Sequence, residues 1–599
     1  MSIRTIAHGA GWSGPLALFA ALLIAAILLI QPKARGAEPS GAAGVASLAA
    51  VPATSDCAAL AKVDLVHIGG AGSVINSAVE TVGAQQATVC AVEGTLAPAI
   101  KFRVELPTKT WTQRYLQTGC GGLCGNLNIR IGAADGCPTV DASGFVVASS
   151  DMGHEGMDGD FGRDPQKRAD FAYRGVHLTA VAAKALIHAF YGQGERFSYF
   201  SGCSDGGREA LVEAQRFPED FNGIVAGAPA MNFVVQNSLY HAWQARSNTG
   251  PDGGAILLAS RLPILHAAVL KACDGLDGQV DGLISAPGQC RFDPAATVCR
   301  GGQDPSTCLT AQEAEVARRF YAGPRDPKTG ERLTVGGPQY GSELQWAGVY
   351  VPMAADQPIF SSIIANGSMG NLIFSNGQPA TVDKVTFDHA TFERLVERYR
   401  LFDSTSPDLS AFADRGGKLI LFHGWADPHI SPINTIAYND ALKATMGEAR
   451  AASFERLYLM PGMGHCSGGE GPSAFDLLTP VMAWVEGGRA PDAIVTRTPT
   501  QTTMFGLPGG GHPGPAGPPP GAKGAMPPRG AMGPPPGMPP QPTGPARSRP
   551  VYPYPYIAAY TGTGDPNAAS SWMRGRAVNV QVPAWAGTGL YRPYQGVTG

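Results

Sequence analysis

The chain has 599 residues, 44% of them hydrophobic and only 16% charged, against a typical charged share of about 25%. With 45 basic and 48 acidic residues the formal net charge is −3, which leaves no basic excess for nucleic acid, and the hydrophobic share excludes whole-chain disorder. Gly (78) and Pro (50) are abundant, but Gly has no three-residue period, so collagen is excluded, as is a Lys- and Glu-rich helical array.

Leu16 to Ile30 is an unbroken run of 15 apolar residues behind a short segment carrying Arg4. It is short for a membrane span, which needs about 20 residues, and suits the hydrophobic stretch of a signal peptide. Small residues at Ala34 and Gly36 place cleavage after Gly36, so residues 1–36 are expected to be removed, leaving no stable membrane span. An uncleaved anchor is the alternative. Export implies a secreted or periplasmic protein, in which eleven cysteines read as disulfide material.

Beyond the leader, Phe145 to Ala148 reads as a strand and Phe171 to Phe190 has apolar residues at helical spacing. Phe197 to Phe200 reads as a strand, 206–216 as a helix and Ile224 to Ala226 as a strand. Leu419 to Phe422 and Leu457 to Met460 are the last strand candidates. This alternation predicts an α/β fold with a parallel sheet. The rhythm is lost between about 229 and 413, an insertion expected to form a lid domain. The catalytic domain is therefore expected at 37–228 and 414–505. From Pro508 to Pro550 a stretch of 43 residues holds 16 Pro, 11 Gly and no acidic residue; a disordered linker is expected at 506–546. Residues 547–599 regain aromatics and are expected to pack on the catalytic domain.

Gly202-Cys203-Ser204-Asp205-Gly206 fits G-x-S-x-G between a strand and a helix. Such a sharp turn lifts a serine hydroxyl off the sheet edge, and the amides at the helix start face an oxygen that becomes negative in acyl transfer. A base and an orienting acid follow in the order expected of this arrangement. His465 stands in Met460-Pro461-Gly462-Met463-Gly464-His465, and Asp427 ends Leu419-Ile420-Leu421-Phe422-His423-Gly424-Trp425-Ala426-Asp427. His154, His423 and His429 are rivals, but each precedes or lies beside the acid. Cys203 adjoins Ser204 and Cys466 adjoins His465. A Cys203–Cys466 disulfide, with Cα atoms about 4.4–6.8 Å apart, would hold nucleophile and base side by side.

These motifs resemble the tannase/feruloyl esterase family, over about 57 to 505 and again at 547–573. The resemblance implies an α/β-hydrolase core with a large inserted lid and a serine esterase acting on small esters of aromatic acids. The stretch Gln117-Thr118-Gly119-Cys120-Gly121-Gly122-Leu123-Cys124-Gly125 is similar to the family's oxyanion loop, implying amide donors at Asp205 and Gly121. Cys273 to Leu283 carries three carboxylates among glycines, a hard-oxygen set that suits Ca²⁺ or a solvated acidic turn. It resembles the family's structural calcium loop, which implies ligands Asp274, Asp277 and Asp281 and the carbonyls of Gln279 and Leu283. Cys273–Cys290, Cys57–Cys90 and Cys299–Cys308 are expected local bridges. Cys120, Cys124 and Cys137 are an odd set with open pairing. The chain departs from the family where Val551 and Met573 stand near expected cysteines.

A serine ester hydrolase is therefore expected, with Trp346, Tyr350 and Phe360 of the lid as candidates to stack on an acyl ring or to form core. A lipase or peptidase on the same fold, and a non-catalytic surface binding protein docking through its Pro-rich segment, are the alternatives.

Overall fold

The computed structural model describes residues 43–374, 380–499 and 546–597. The leader expected at 1–36 and, but for residue 546, the linker expected at 506–546 lie outside the described residues.

Nine strands form one sheet: β1 (Val74–Val82), β2 (Thr88–Leu96), β3 (Ile100–Pro107), β4 (Arg114–Thr118), β5 (Phe145–Ser150), β6 (Phe197–Cys203), β7 (Gly223–Gly227), β8 (Lys418–Gly424) and β9 (Glu455–Met460). Their order is β1-β2-β3-β5-β4-β6-β7-β8-β9. The sheet is mixed rather than wholly parallel: β1, β2, β3 and β5 pair antiparallel in turn, and only β5-β4-β6-β7-β8-β9 run parallel. Tight connections between β1, β2 and β3 permit antiparallel pairing, whereas the later strands are separated by helices that supply crossovers.

The parallel strands are buried on both faces, and their side chains alternate between two cores, as a pleated strand requires. Ile224, Ala226, Leu419, Leu421, Leu457 and Leu459 face one cluster. Val225, Ile420, Phe422, Tyr458 and Met460 face the other. The first is covered by α1 (Gly175–Tyr191) and α2 (Asp205–Arg216), which share its apolar cluster. The insertion between β7 and β8, the segment expected to form the lid, contributes α3 (Leu262–Cys273) and α4 (Ala311–Ala322). Then α5 (Pro432–Met446) packs with the first layer, and α6 (Leu478–Gly487) covers the second face against β7 and β8. Thr310 starts α4 with a reciprocal capping box to Glu313, satisfying amides the first turn leaves open.

The lid has its own apolar centre, which includes Leu262, Leu265, Val316, Phe320, Trp346 and Tyr350. Trp346 and Tyr350 are therefore core, completely buried, while Phe360 remains half-buried at its edge. β10 (Ile494–Arg497), before the linker, pairs with β11 (Ser548–Val551) of the C-terminal segment, in which β12 (Tyr556–Tyr560) pairs with β13 (Trp572–Ala577). Val551 and Met573 lie on these tail strands without cysteines. There Arg549 instead stacks 4.0 Å from the Trp572 ring centroid and ion-pairs with Asp281 of the lid at 2.7 Å.

Candidate active site

Ser204 occupies the single-residue turn between β6 and α2 with φ 65° and ψ −122°. A non-glycine residue in that region costs about 1–3 kcal/mol and persists only where surroundings hold it. They do so here: Ser204 N–H donates to the Gly227 carbonyl at 3.0 Å, and the Ser204 carbonyl accepts from Ala230 N–H at 2.9 Å. Glycine is required on the flanks. A Cβ on Gly202 would meet the Gly206 carbonyl oxygen at 2.3 Å, and one on Gly119 would meet Gly206 Cα at 2.5 Å. The loop after β4 thus packs backbone against backbone on the turn that carries Ser204. Gly206 N–H donates to the Cys120 carbonyl at 2.6 Å. Asp205 N–H opens α2 next to Ser204, and Gly121 lines the same solvent-open cleft of about 1240 Å³ as Ser204.

Asp427 and His465 lie in the turns after β8 and β9. The two turns are sewn together: Trp425 N–H donates to Met460 and Ala426 N–H to Met463, each at 2.9 Å. His465 Nδ1–H donates to Asp427 Oδ2 at 2.6 Å, and both residues are buried. Burial pushes the Asp427 carboxyl up, but the charge and hydrogen bonds of His465 and His423 outweigh it, holding the group well below the usual carboxylate range. Cys203 and Cys466 are disulfide-bonded with Cα atoms 5.9 Å apart across 263 residues of chain. The bond joins the residue before Ser204 to the residue after His465.

The remaining expected bridges Cys57–Cys90, Cys273–Cys290 and Cys299–Cys308 are formed. Cys120–Cys124 is a fifth, leaving Cys137 a buried free thiol, which burial pushes up to about 11. Of the rival histidines, His154 is a core residue, stacked 3.6 Å from Phe161 and bonded through Nε2 to the Leu123 carbonyl. Burial brings it down to about 4. His429 lies beside the site, its ring 4.7 Å from both His465 and the lid's Phe360.

Sequence reasoning missed the support beneath the serine turn. Arg208 is fully buried and grips Asp205 with two bonds, Nε to Oδ1 at 2.6 Å and Nη2 to Oδ2 at 2.9 Å. Glu209 accepts Cys120 N–H at 3.1 Å, while burial and the Asp205 charge push its carboxyl well above the usual range. The only signal was the spacing of three and four residues along α2.

In the acidic loop of the lid, Asp274 accepts from Asp281 N–H at 3.3 Å and Gly282 N–H at 2.9 Å. Asp277 is pushed up by burial and by the like charges of Asp281 and Asp274, a repulsion that a divalent cation would relieve. The all-oxygen donor set fits a hard cation, with one competitor: Arg549 already pairs with Asp281. Among the described residues the tight groups of possible metal ligands lie elsewhere, at Cys120, Cys124, Asp205 and Glu209 and at His177, Glu213 and Asp220. The sulfurs of the first are consumed in a disulfide.

A mixed sheet whose strand-to-helix turn presents a strained serine, tied by a disulfide to a carboxylate–imidazole pair past the ends of β8 and β9, defines an α/β-hydrolase. The sequence model for "Tannase and feruloyl esterase" matches residues 82–575. An uncharacterised esterase of Xanthomonas campestris is 34% identical over 75% of this chain and 86% of its own length. The mono(2-hydroxyethyl) terephthalate hydrolase of Piscinibacter sakaiensis is 31% identical over 79% and 81%. The crystal structure of feruloyl esterase B from Aspergillus oryzae superposes with a TM-score of 0.68 at 25% identity, covering 87% of this chain and all of that one. The chain belongs to the tannase and feruloyl esterase family and is a carboxylic ester hydrolase.

Proposed function

We propose that the protein hydrolyses small esters of aromatic acids through Ser204, His465 and Asp427. The observation that carries this reading is the Cys203–Cys466 bond, which ties the strained serine turn to the imidazole already oriented by Asp427. Ser204 Oγ attacks the ester carbonyl as His465 Nε2 takes its proton. The carbonyl oxygen gains negative charge toward the amides of Asp205 and Gly121, His465 returns the proton to the departing alcohol, and water repeats the sequence on the acyl-enzyme. Asp427 holds the imidazole tautomer and offsets its charge. An aromatic acyl group is supported by the relatives, one named for a terephthalate ester and another for feruloyl esters, and by the ring of Phe360 beside His429.

Residues 229–413 act as the lid and the halves 37–228 and 414–505 as the catalytic domain. Asp274, Asp277 and Asp281, with the carbonyls of Gln279 and Leu283, would hold Ca²⁺ as a stiffening ion in the lid. Five disulfides support export to an oxidising compartment. A panel of methyl gallate, methyl ferulate, mono(2-hydroxyethyl) terephthalate, nitrophenyl butyrate and a peptide amide tests the assignment. The highest kcat/KM is expected on an aromatic-acid ester. A preference for the butyrate or the amide would overturn it.

A further inference from the structure

The histidine four residues before the acid, His423, has no part in the three-residue mechanism, yet it contacts the same carboxylate oxygen as His465. It is the penultimate residue of β8 and is completely buried. Its Nε2 lies 3.1 Å from Asp427 Oδ2 and 3.0 Å from the Ile430 carbonyl oxygen. Both partners only accept, so Nε2 carries a hydrogen. Its Nδ1 lies 2.8 Å from Thr435 Oγ1 near the start of α5, where a neutral ring accepts the threonine hydroxyl proton. The other carboxylate oxygen, Asp427 Oδ1, accepts from His429 N–H at 2.8 Å and Ile430 N–H at 3.0 Å.

Asp427 therefore receives four donors, two on each oxygen. A carboxylate bonded this way cannot rotate without breaking several bonds, and the charge on Oδ2 is divided between two imidazoles. We propose that His423, held in one tautomer by Thr435, is a positioning residue that aims Asp427 Oδ2 at His465 and moderates its hold on the His465 proton. This rests on the triad reading above.

The charge balance has few other contributors. His429 stands beside His465, and His241 and Tyr240 approach from the lid, with Tyr350 behind them. Burial, and next the neighbouring His465, bring His241 down to about 3, so it is neutral across the working range. Without the His423 donor, Asp427 Oδ2 would bind the His465 imidazolium more tightly. The base would then be protonated at higher pH, and the acid limb of the pH profile would move up.

The test compares His423→Leu, which removes both ring nitrogens, with His423→Gln, whose amide can still donate, and Thr435→Val with Thr435→Ser. His423→Leu is expected to lower kcat roughly tenfold to a hundredfold, by analogy with the loss of an outer hydrogen-bond partner of a metal-ligating side chain. KM should change little, and the acid limb of kcat/KM should shift up by at least about half a pH unit, since half a unit corresponds to threefold in the proton equilibrium. His423→Gln should restore most of the rate, and Thr435→Val should shift the limb in the same direction with Thr435→Ser reversing it. If His423→Leu fails to fold, the threonine pair alone decides. Unchanged pH profiles in the soluble variants, or equal losses in Leu and Gln, would overturn the role of His423 while leaving the triad standing. The triad itself fails separately, if Ser204→Ala assayed in parallel keeps wild-type activity.

Discussion

The rim at the ends of β6, β8 and β9 and the lid over it are built by opposite means. In the rim, short turns do the positioning: each chemical side chain sits one to five residues past a strand end, where glycines let backbones touch, and one disulfide spans 263 residues to bind two turns together. In the lid segment, bridges span only 9 and 17 residues, and one part packs around an apolar cluster of its own. The rim is thus fixed by the sheet, whereas the lid segment is held by packing, sharing the main apolar cluster through Leu333, Ile364, Leu372, Phe392 and Phe402 and keeping a second cluster of its own. Phe360 reaches His429. Buried His266 lies between Glu343 of the lid, at 2.6 Å, and Glu470 of the loop that carries His465, at 2.9 Å. Chemistry should therefore be sensitive to rim changes, and substrate affinity to lid changes.

The largest effect belongs to the rim. Ser204→Ala should lower kcat by about 10⁴-fold or more, the scale for losing a nucleophile, with circular dichroism and Tm preserved, because alanine keeps the Cβ and leaves the turn as it was. Next comes the Cys203→Ala/Cys466→Ala double variant. Releasing so long a loop should cost about 5–6 kcal/mol by the loop-entropy argument, measured by denaturant unfolding, and kcat should fall with stability. Removing Cys299 and Cys308 should cost less and leave kcat unchanged. Equal effects of the two pairs would erase the contrast between rim and lid.

The lid latch is expected to titrate. Burial opposes charge on His266, but hydrogen bonds and charge from Glu343 and Glu470 prevail and raise it to about 10, from an ordinary value of about 6.5. Its stabilisation is then complete below about pH 6.5 and is lost as pH rises through about 10. The Tm gap between wild type and His266→Asn should narrow over that window, and Glu470→Gln should raise KM more than it lowers kcat. A gap independent of pH would mean that the latch is not ionic. The smallest effect is that of calcium. Chelation should lower Tm by about one degree, on the order of 1 kcal/mol for a chain of this size, restored by Ca²⁺ and accompanied by little change in kcat. Chelation that abolished kcat would move the ion into the rim.

The contrast also explains what was legible in the sequence. Ser204, Asp427 and His465 stand out because each closes an apolar strand with a glycine-flanked turn, a pattern set by the sheet and local in sequence. The paired cysteines beside them were readable for the same reason. The antiparallel strand β1 is hidden because it reads Val-Ile-Asn-Ser-Ala-Val-Glu-Thr-Val and is largely exposed, and β2 and β3, although mostly buried, carry Glu93, Lys101, Arg103 and Glu105, which break the apolar run that marks the central strands. His423 was set aside for preceding the acid, since order along the chain does not reveal a shared carboxylate oxygen. Cys120–Cys124 stayed open because three cysteines allow three pairings. The Asp205, Arg208 and Glu209 cluster was hidden because buried charge is ordinarily rare, and only the approach of the Cys120 loop to α2 gives those residues partners.

The central claim is that Ser204 is a nucleophile activated by His465 and Asp427, and a fluorophosphonate probe tests it most directly. Intact-mass and peptide mass spectrometry of the folded protein should show one adduct, on Ser204, with concurrent loss of ester hydrolysis. Labelling should be absent in Ser204→Ala and much slower in His465→Ala. A folded wild-type protein that hydrolyses esters yet takes no label at Ser204, or labels as fast without His465, would contradict it.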